Sequence, residues 1–373
     1  MHKLKILIFG MTADYGGVES FIMSYFRNMN HKEISFDFIA YNQPPAFQRE
    51  IEEAGSRIFV IPGRGRKLFS CIRQIKQILR ETKYNAVWSN LCYLSDILVL
   101  KYAKKAGVPV RIIHAHNNMN MSGAVNGLFH KINRRKIWKT ATHFWACSEL
   151  AGEFFYPDRI LKSERYRIVP NAVDTEKFAF NPQVRISVRS KLGLDDKYVI
   201  GNVGRLHFQK NQAFLLDVFK CVLSKKSNAF LLIAGEGGLR DMLEAKIREL
   251  GIENNVLLLG RRDDVSDLMQ AMDVFVLPSL FEGLGIVLIE AQCCGLPCLT
   301  SSGVVPKEAK VTDLLEYESL DEPAEKWAKH ILNIGLKERT HKNKQVRKAG
   351  YDIVFQAKQL TNFFLKGIEN GNS

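Results

Sequence analysis

The 373-residue chain contains no run approaching 18 continuous apolar residues, so no transmembrane helix is predicted. It has neither the G-x-G-x-x-G fingerprint of dinucleotide binding nor a Walker A loop, which removes support for nicotinamide binding and for the usual nucleotide-hydrolase chemistry. Cysteine is sparse: seven residues, an odd number, with no C-x-x-C pair. Even Cys293, Cys294 and Cys298 lack the partner spacing of a zinc site. That usage fits a cytoplasmic setting, with the thiols as small buried apolar groups. No repeat of solenoid period and no low-complexity tail is present. The first apolar run, Ile6–Phe9, is too short for a signal-peptide core and reads better as a buried strand.

Acidic residues are scarce in one half only. Residues 1–170 hold 26 Lys and Arg against 13 Asp and Glu, whereas residues 171–373 hold 27 against 26. Nearly all of the net charge of +14 therefore lies in the first half. Such asymmetry suggests an anionic partner: nucleic acid, an acidic membrane or a phosphorylated ligand. No DNA- or RNA-binding motif accompanies the charge, so nucleic acid is not expected.

Short apolar runs alternate with amphipathic stretches. Strands are predicted at Lys5–Phe9, Ser35–Ala40, Arg57–Ile61, Ala86–Ser89, Val110–His114, Phe144–Cys147 and Arg167–Val169. Helical spacing falls between them at Val18–Asn28, Cys71–Glu81 and Ile97–Ala106. The rhythm restarts with strands at Tyr198–Val203, Ala229–Ala234, Val256–Leu259, Val274–Leu277 and Pro297–Thr300, separated by helices at Asn211–Ser224, Gly237–Leu250 and Ile286–Cys294. Two such series predict an α/β protein of two Rossmann-like doubly wound domains facing a cleft. The expected division is residues 1–175 with a C-terminal helix at 351–373, and residues 176–350. Pro170, Pro182 and a charged stretch interrupt the pattern across Asn171–Leu194.

Ligands of open α/β sheets sit at the carboxyl ends of strands, and the unusual loops fall there. Gly16-Gly17-Val18-Glu19 opens a helix after the first strand, so its backbone could approach an anion closely. Gly204-Arg205 and Lys210-Asn211 follow the strand at 198–203 and could bring two cations to a diphosphate. Glu282 lies in the glycine-rich loop Ser279–Gly285, where Gly283, Leu284 and Gly285 precede a helix N-terminus. Glu290 follows eight positions later inside an otherwise apolar helix, where a carboxylate is costly to bury without a partner. A ligand or a structural lysine would both satisfy it. Eight helical positions span about 12 Å, comparable to the reach from ribose to hexose in a nucleotide sugar.

In the basic half, Val110–His114 runs into His114-Ala115-His116-Asn117, whose two histidines share a strand face. No third metal ligand is placed by sequence, so proton handling or acceptor binding at a cleft is the expected role, beside that of a structural histidine. The segment Lys131–Lys139 interleaves Lys131, Arg134, Arg135 and Lys136 with Ile132, Ile137 and Trp138. It suits either a helix lying on an anionic membrane or a solvated basic face.

Taken together with Val169-Pro170-Asn171-Ala172-Val173-Asp174 and Gly235-Glu236-Gly237, these segments resemble the GT-B glycosyltransferases of family 4 over nearly the whole chain. Ala291-Gln292-Cys293-Cys294-Gly295-Leu296-Pro297 resembles the bacterial capsular and exopolysaccharide members. The resemblance implies a retaining enzyme without bound metal or cofactor. It would move a hexose or N-acetylhexosamine from a nucleotide sugar to a lipid-diphosphate-linked or glycan acceptor. Arg205 and Lys210 would hold the diphosphate, Glu290 the ribose and Glu282 the donor hexose. Gly204, Gly235 and Glu236 would flank the donor, Gly16 and Gly17 would close on its phosphate, and His114 would lie near acceptor and donor sugar. His116 and Asn117 fall to the acceptor side. The polysaccharide subgroup suggests a UDP-sugar, with GDP-mannose as the alternative donor and a GT-B-shaped epimerase or phosphorylase as the alternative enzyme. Two motifs depart from the family pattern: Asn171-Ala172 replaces an Asn-Gly pair, and Ser301-Ser302-Gly303 replaces a D-x-G turn. The implied location is the inner face of the cytoplasmic membrane, bound peripherally.

Overall fold

The structure, a computed structural model, describes residues 3–117, 123–336 and 339–369. The chain forms two units: Met1–Ala172 with Ile353–Ser373, and Val173–Asp352.

The first unit is built on seven strands: β1 (Leu4–Phe9), β2 (Ile34–Tyr41), β3 (Arg57–Ile61), β4 (Ala86–Leu91), β5 (Val110–Ala115), β6 (His143–Ala146) and β7 (Tyr166–Ile168). They pair in parallel in the order β3-β2-β1-β4-β5-β6-β7. Alternation along each strand feeds two cores, one per sheet face. Leu7, Phe9 and Val87 pack on Ile75, Ile78 and Leu79 of the helix Leu68–Glu81. Ile6, Ile8 and Trp88 pack on Phe21, Ile22 and Tyr25 of the helix Gly17–Asn28. The final helix, Ile353–Glu369, returns to this second core and inserts Ile353, Ala357, Leu360 and Phe364.

The second unit carries six parallel strands: β8 (Tyr198–Val203), β9 (Ala229–Ala234), β10 (Val256–Leu258), β11 (Val274–Leu277), β12 (Cys298–Ser301) and β13 (Leu315–Glu318). Their order is β10-β9-β8-β11-β12-β13. Val199, Leu232 and Phe275 face the helix Ile286–Cys293, and Ile200, Leu231 and Val274 face the helices Gln212–Leu223 and Ala324–Ile334.

Several elements were not expected from the sequence. β13 is an edge strand of sequence LEYE with one buried residue, so it lacks the apolar run of a central strand. The stretch around Pro182, expected as an interruption, holds the helix Pro182–Leu192. Asn181 caps it by accepting from the N–H of Gln183 and Val184, and Gly193 ends it in the left-handed region at φ 66°. Its inner side is polar: Arg185 and Arg189 donate to Asp273 and to the carbonyls of Gln270, Ala271 and Met272.

Phe364 is fully buried, so Phe364→Ala should destabilise the first unit by about 3–4 kcal/mol. Urea unfolding followed by tryptophan fluorescence, with Trp88 and Trp145 in the same core, measures the loss.

Candidate functional site

In each sheet the first strand has neighbours on both sides from opposite winding directions, which creates a switch point between β1 and β4 and between β8 and β11. The crevices that take ligands in such sheets lie at the carboxyl ends of those strands. In the second unit three loops gather there, after β8, β9 and β11. Arg205, directly after β8, is exposed, and no acceptor among the described residues receives its guanidinium. The loop after β11 ends at Gly285, which caps the helix Ile286–Cys293 from the left-handed region at φ 74°. Among the described residues, no backbone carbonyl or side chain accepts the N–H groups of Gly283, Leu284, Gly285, Ile286 or Val287. Five free donors at a helix N-terminus, in the same loop cluster as a free guanidinium, make a site for an anion.

Glu290 lies on this same helix. Its carboxylate is partly buried among apolar neighbours and has no hydrogen-bond or ion-pair partner among the described residues. The structural lysine that could have satisfied it is therefore absent as an ion pair. Burial pushes its pKa up to about 7, and attraction from Lys177 opposes the rise. Such a carboxylate is suited to accept hydrogen bonds from ligand hydroxyls.

Lys210 and Glu282 meet each other. The Lys210 ammonium lies 2.5 Å from the Glu282 Oε1, which also accepts from the Ser279 hydroxyl at 2.7 Å. Glu282 is 6 % exposed, so this is a buried ion pair bridging the loops after β8 and β11. Gln209 reinforces the bridge, donating to the Phe281 carbonyl while its own carbonyl accepts from Leu280. The loop after β9 is drawn in as well. A Cβ at Gly235 would lie 2.0 Å from the Gly204 carbonyl oxygen, and one at Gly237 would lie 2.2 Å from that of Leu206. Glycine is needed at both positions for close backbone approach. Glu236 between them is exposed, and its carbonyl accepts from the Leu206 N–H.

In the first unit, Gly16 and Gly17 start a helix after β1. A Cβ at Gly17 would meet nothing within 4 Å, leaving open space beside that helix N-terminus. Glu19 is buried and holds the preceding loop by accepting from the N–H and hydroxyl of Thr12. His114 departs from expectation. It is completely buried, stacked on Trp88 and covered by the edge of Phe21, so a substrate cannot touch it where it stands. Burial drives its pKa well below the usual histidine value, and the neighbouring His116 pushes it the same way. The partly exposed His116 lies over it at 4.3 Å and meets the Asn90 Oδ1 at 3.0 Å, with its pKa lowered by burial to about 3. The neighbouring Asn117 is partly exposed.

The basic segment forms the helix Gly123–Lys136 and a following turn, Ile137–Lys139. Lys131, Arg135 and Lys136 are exposed. Arg134 is tied down, donating to the carbonyls of Glu153 and Tyr156, and Ile137 is fully buried, so neither serves the outer face as expected. That face instead carries Val125, Leu128, Phe129 and Ile132, a stripe at helical spacing, with Val125 69 % exposed. His130 and Asn133 point the other way and bond to the backbone of Leu94, fixing the helix to the loop after β4.

Two family models together cover most of the chain. Residues 15–177 match the family model "Glycosyltransferase Family 4", and residues 184–352 match "Glycosyl transferases group 1". EpsF of Bacillus subtilis (strain 168), named as a glycosyltransferase, is 34% identical over 94% of this chain and 93% of its own. The chain belongs to the family 4 glycosyltransferases. An Escherichia coli UDP-Gal:alpha-D-GlcNAc-diphosphoundecaprenol alpha-1,3-galactosyltransferase is 27% identical over 80% of each chain. The fold of this glycosyltransferase is also that of Anabaena Alr3699/HepE, crystallised with UDP-glucose, at TM-score 0.77 and 19% identity over 97% of this chain and 100% of that one. It is the two-sheet GT-B architecture.

Ser279 and Gln209 in the second unit, and Glu19 in the first, carry no role in the sequence motifs that contain them. Ser279 is three positions before Glu282, a spacing that could have signalled its hydroxyl contact. Breaking the buried pair by Lys210→Met leaves Glu282 charged without its cation, and should cost about 3 kcal/mol in urea unfolding. Lys210→Met/Glu282→Leu should recover most of that loss. For Glu290 the folded-state pKa lies above the unfolded value. Its ionisation therefore opposes folding as pH rises from about 4.5 through about 7, and the penalty persists above. Glu290→Gln should accordingly raise the melting temperature at pH 8 and leave it unchanged at pH 4.

Proposed function

We propose that this glycosyltransferase is a retaining, metal-independent enzyme of surface-polysaccharide synthesis. It transfers a hexose or N-acetylhexosamine from a UDP-sugar to a lipid-diphosphate-linked or glycan acceptor at the inner face of the cytoplasmic membrane. The observation that carries the reading is the row of five unclaimed N–H donors in the same loop cluster as the unpaired Arg205, with the unpaired Glu290 on the same helix. The UDP-sugar and the lipid-diphosphate acceptor are supported by the substrates in the name of the E. coli relative.

Glu290 takes the ribose hydroxyls, and its spacing along the helix from residues 283–287 sets the diphosphate over the free N–H groups. Arg205 neutralises the charge that develops as the bond between the sugar C1 and the diphosphate oxygen breaks and its electron pair moves to that oxygen. The acceptor hydroxyl attacks C1 on the face the diphosphate leaves, and its proton passes to the departing phosphate oxygen. Lys210, held by Glu282, keeps the loop after β8 against the loop after β11 and adds its positive charge near the leaving group. Gly17 leaves room for the donor phosphate, and on the acceptor side His116 has an exposed edge. The stripe Val125, Leu128, Phe129 and Ile132, flanked by Lys131, Arg135 and Lys136, fits an interfacial helix on anionic lipid. Among the described residues no helix is long and apolar enough to cross a membrane.

Incubation with a panel of UDP- and GDP-sugars and a lipid-diphosphate acceptor, reading release of the nucleoside diphosphate, tests the proposal. Turnover with a UDP-sugar and an axial product linkage is expected. Arg205→Ala should lower kcat by about 10²–10³-fold, and Glu290→Ala should abolish detectable donor binding. No turnover with any donor would sink the reading, and turnover with GDP-mannose alone would reassign the donor. Leu128→Glu/Phe129→Glu should release the protein from phosphatidylglycerol vesicles in cosedimentation. Unchanged binding would remove the helix from the membrane contact.

A further inference from the structure

A cavity of about 560 Å³ opens in the first unit at the end of its sheet opposite the loop after β1. It lies where the helices Leu68–Glu81 and Leu98–Lys105 end and where the chain enters β4 and β5, the amino ends of those strands. Its size falls within the range of small-molecule sites. Lys76, Arg80, Lys83 and Lys105 line it, and no carboxylate does. None of the four cations has an ion-pair partner among the described residues. Leu79, Val108 and Pro109 supply an apolar floor. The Tyr102 ring stands between two of the cations, with the Lys76 ammonium 5.2 Å and the Lys105 ammonium 5.4 Å from its centroid. The other aromatic, Tyr84, is already engaged: its hydroxyl donates to Asp37, which is paired with Arg57.

Lysines and arginines commonly finish helices because they complement the negative end of the helix dipole. That accounts for Arg80 and Lys105, each in a last turn. It does not account for Lys83, which lies beyond the first helix, or for Lys76, more than a turn before its end. The two helix ends together contribute about one negative charge, against four positive ones converging on one concave surface. A concave wall of a single sign concentrates counter-ions. An arginine fork with three mobile ammoniums suits the several oxygens of a phosphate ester or diphosphate, and the Tyr102 ring with the apolar floor suits an attached ring or chain.

We propose that this cavity is a second anion site, binding a phosphate- or diphosphate-bearing compound with an apolar portion, separate from the donor loops of the second unit. Calorimetric titration of inorganic pyrophosphate into the full-length Arg205→Ala protein removes the main donor-side cation from the measurement. Binding is expected to persist there, to weaken at least about tenfold when Arg80→Ala and Lys105→Ala are added, and to fall with ionic strength between about 0.05 and 0.3 M. Affinity unchanged by those two substitutions, or no binding at millimolar pyrophosphate, would overturn the proposal. All four side chains are solvent-facing, so the melting temperature should hold. Should the double substitution unfold the protein, Lys83→Ala alone must still weaken binding two- to threefold, and no change would again overturn it. Phosphatidylglycerol vesicles distinguish the source of the phosphate. Cosedimentation lost with Arg80→Ala/Lys105→Ala assigns a lipid headgroup, and cosedimentation retained while pyrophosphate binding weakens assigns a soluble compound.

Discussion

A parallel strand cannot hairpin into its neighbour, so each must return through a crossover on one face of the sheet. Every other feature of this glycosyltransferase follows from that constraint. Both faces of each sheet are covered, so the central strands are largely apolar on both sides. Where winding reverses, beside β1 and beside β8, the loops diverge and leave helix N-termini unobstructed. The unclaimed N–H donors at Gly283–Val287 and the open space beside Gly17 occupy those two places because the topology leaves nothing else there.

Within the second unit the loops are not merely near one another but fastened. The buried pair of Lys210 and Glu282 would be expensive if either partner stood alone, and it is made tolerable by Ser279 and by the backbone links through Gln209. Gly235 and Gly237 let the third loop close on the first without side chains intervening. What is left unfastened is Arg205, Glu290 and the amide row. The contrast between groups consumed by the scaffold and groups left without partners is the clearest mark of where a ligand belongs.

Much of this was legible in the sequence because strand alternation and glycine-rich loops are local signals. The runs around Ile6–Phe9 and Ala229–Ala234 announce central strands, and a carboxylate inside Ile286–Cys293 stands out against its apolar neighbours. What was not legible depends on distant partners. β13 has one buried residue and is a strand only because β12 offers it an edge. The helix Pro182–Leu192 buries arginine rather than leucine, since Asp273 and three carbonyls lie beneath it. The shared face of His114 and His116 follows from strand periodicity, but only packing reveals that Phe21 covers the first and leaves the second partly open. Likewise, charge along 131–139 gave no hint that Arg134 would be spent on carbonyls or that the apolar stripe would begin at Val125.

The final helix carries a consequence for biosynthesis. Its four core residues complete an interior whose other walls are made from the first half of the chain, and the whole of Val173–Asp352 is translated in between. As the chain emerges from the ribosome, the second unit has all of its residues before the first does. The early sheet must then wait with the apolar surface around Trp88 and Tyr25 uncovered. A nascent chain stalled before Ile353 would expose that surface to chaperones and proteases, which makes the last turn of synthesis the quality-control point for the earliest-made part of the molecule.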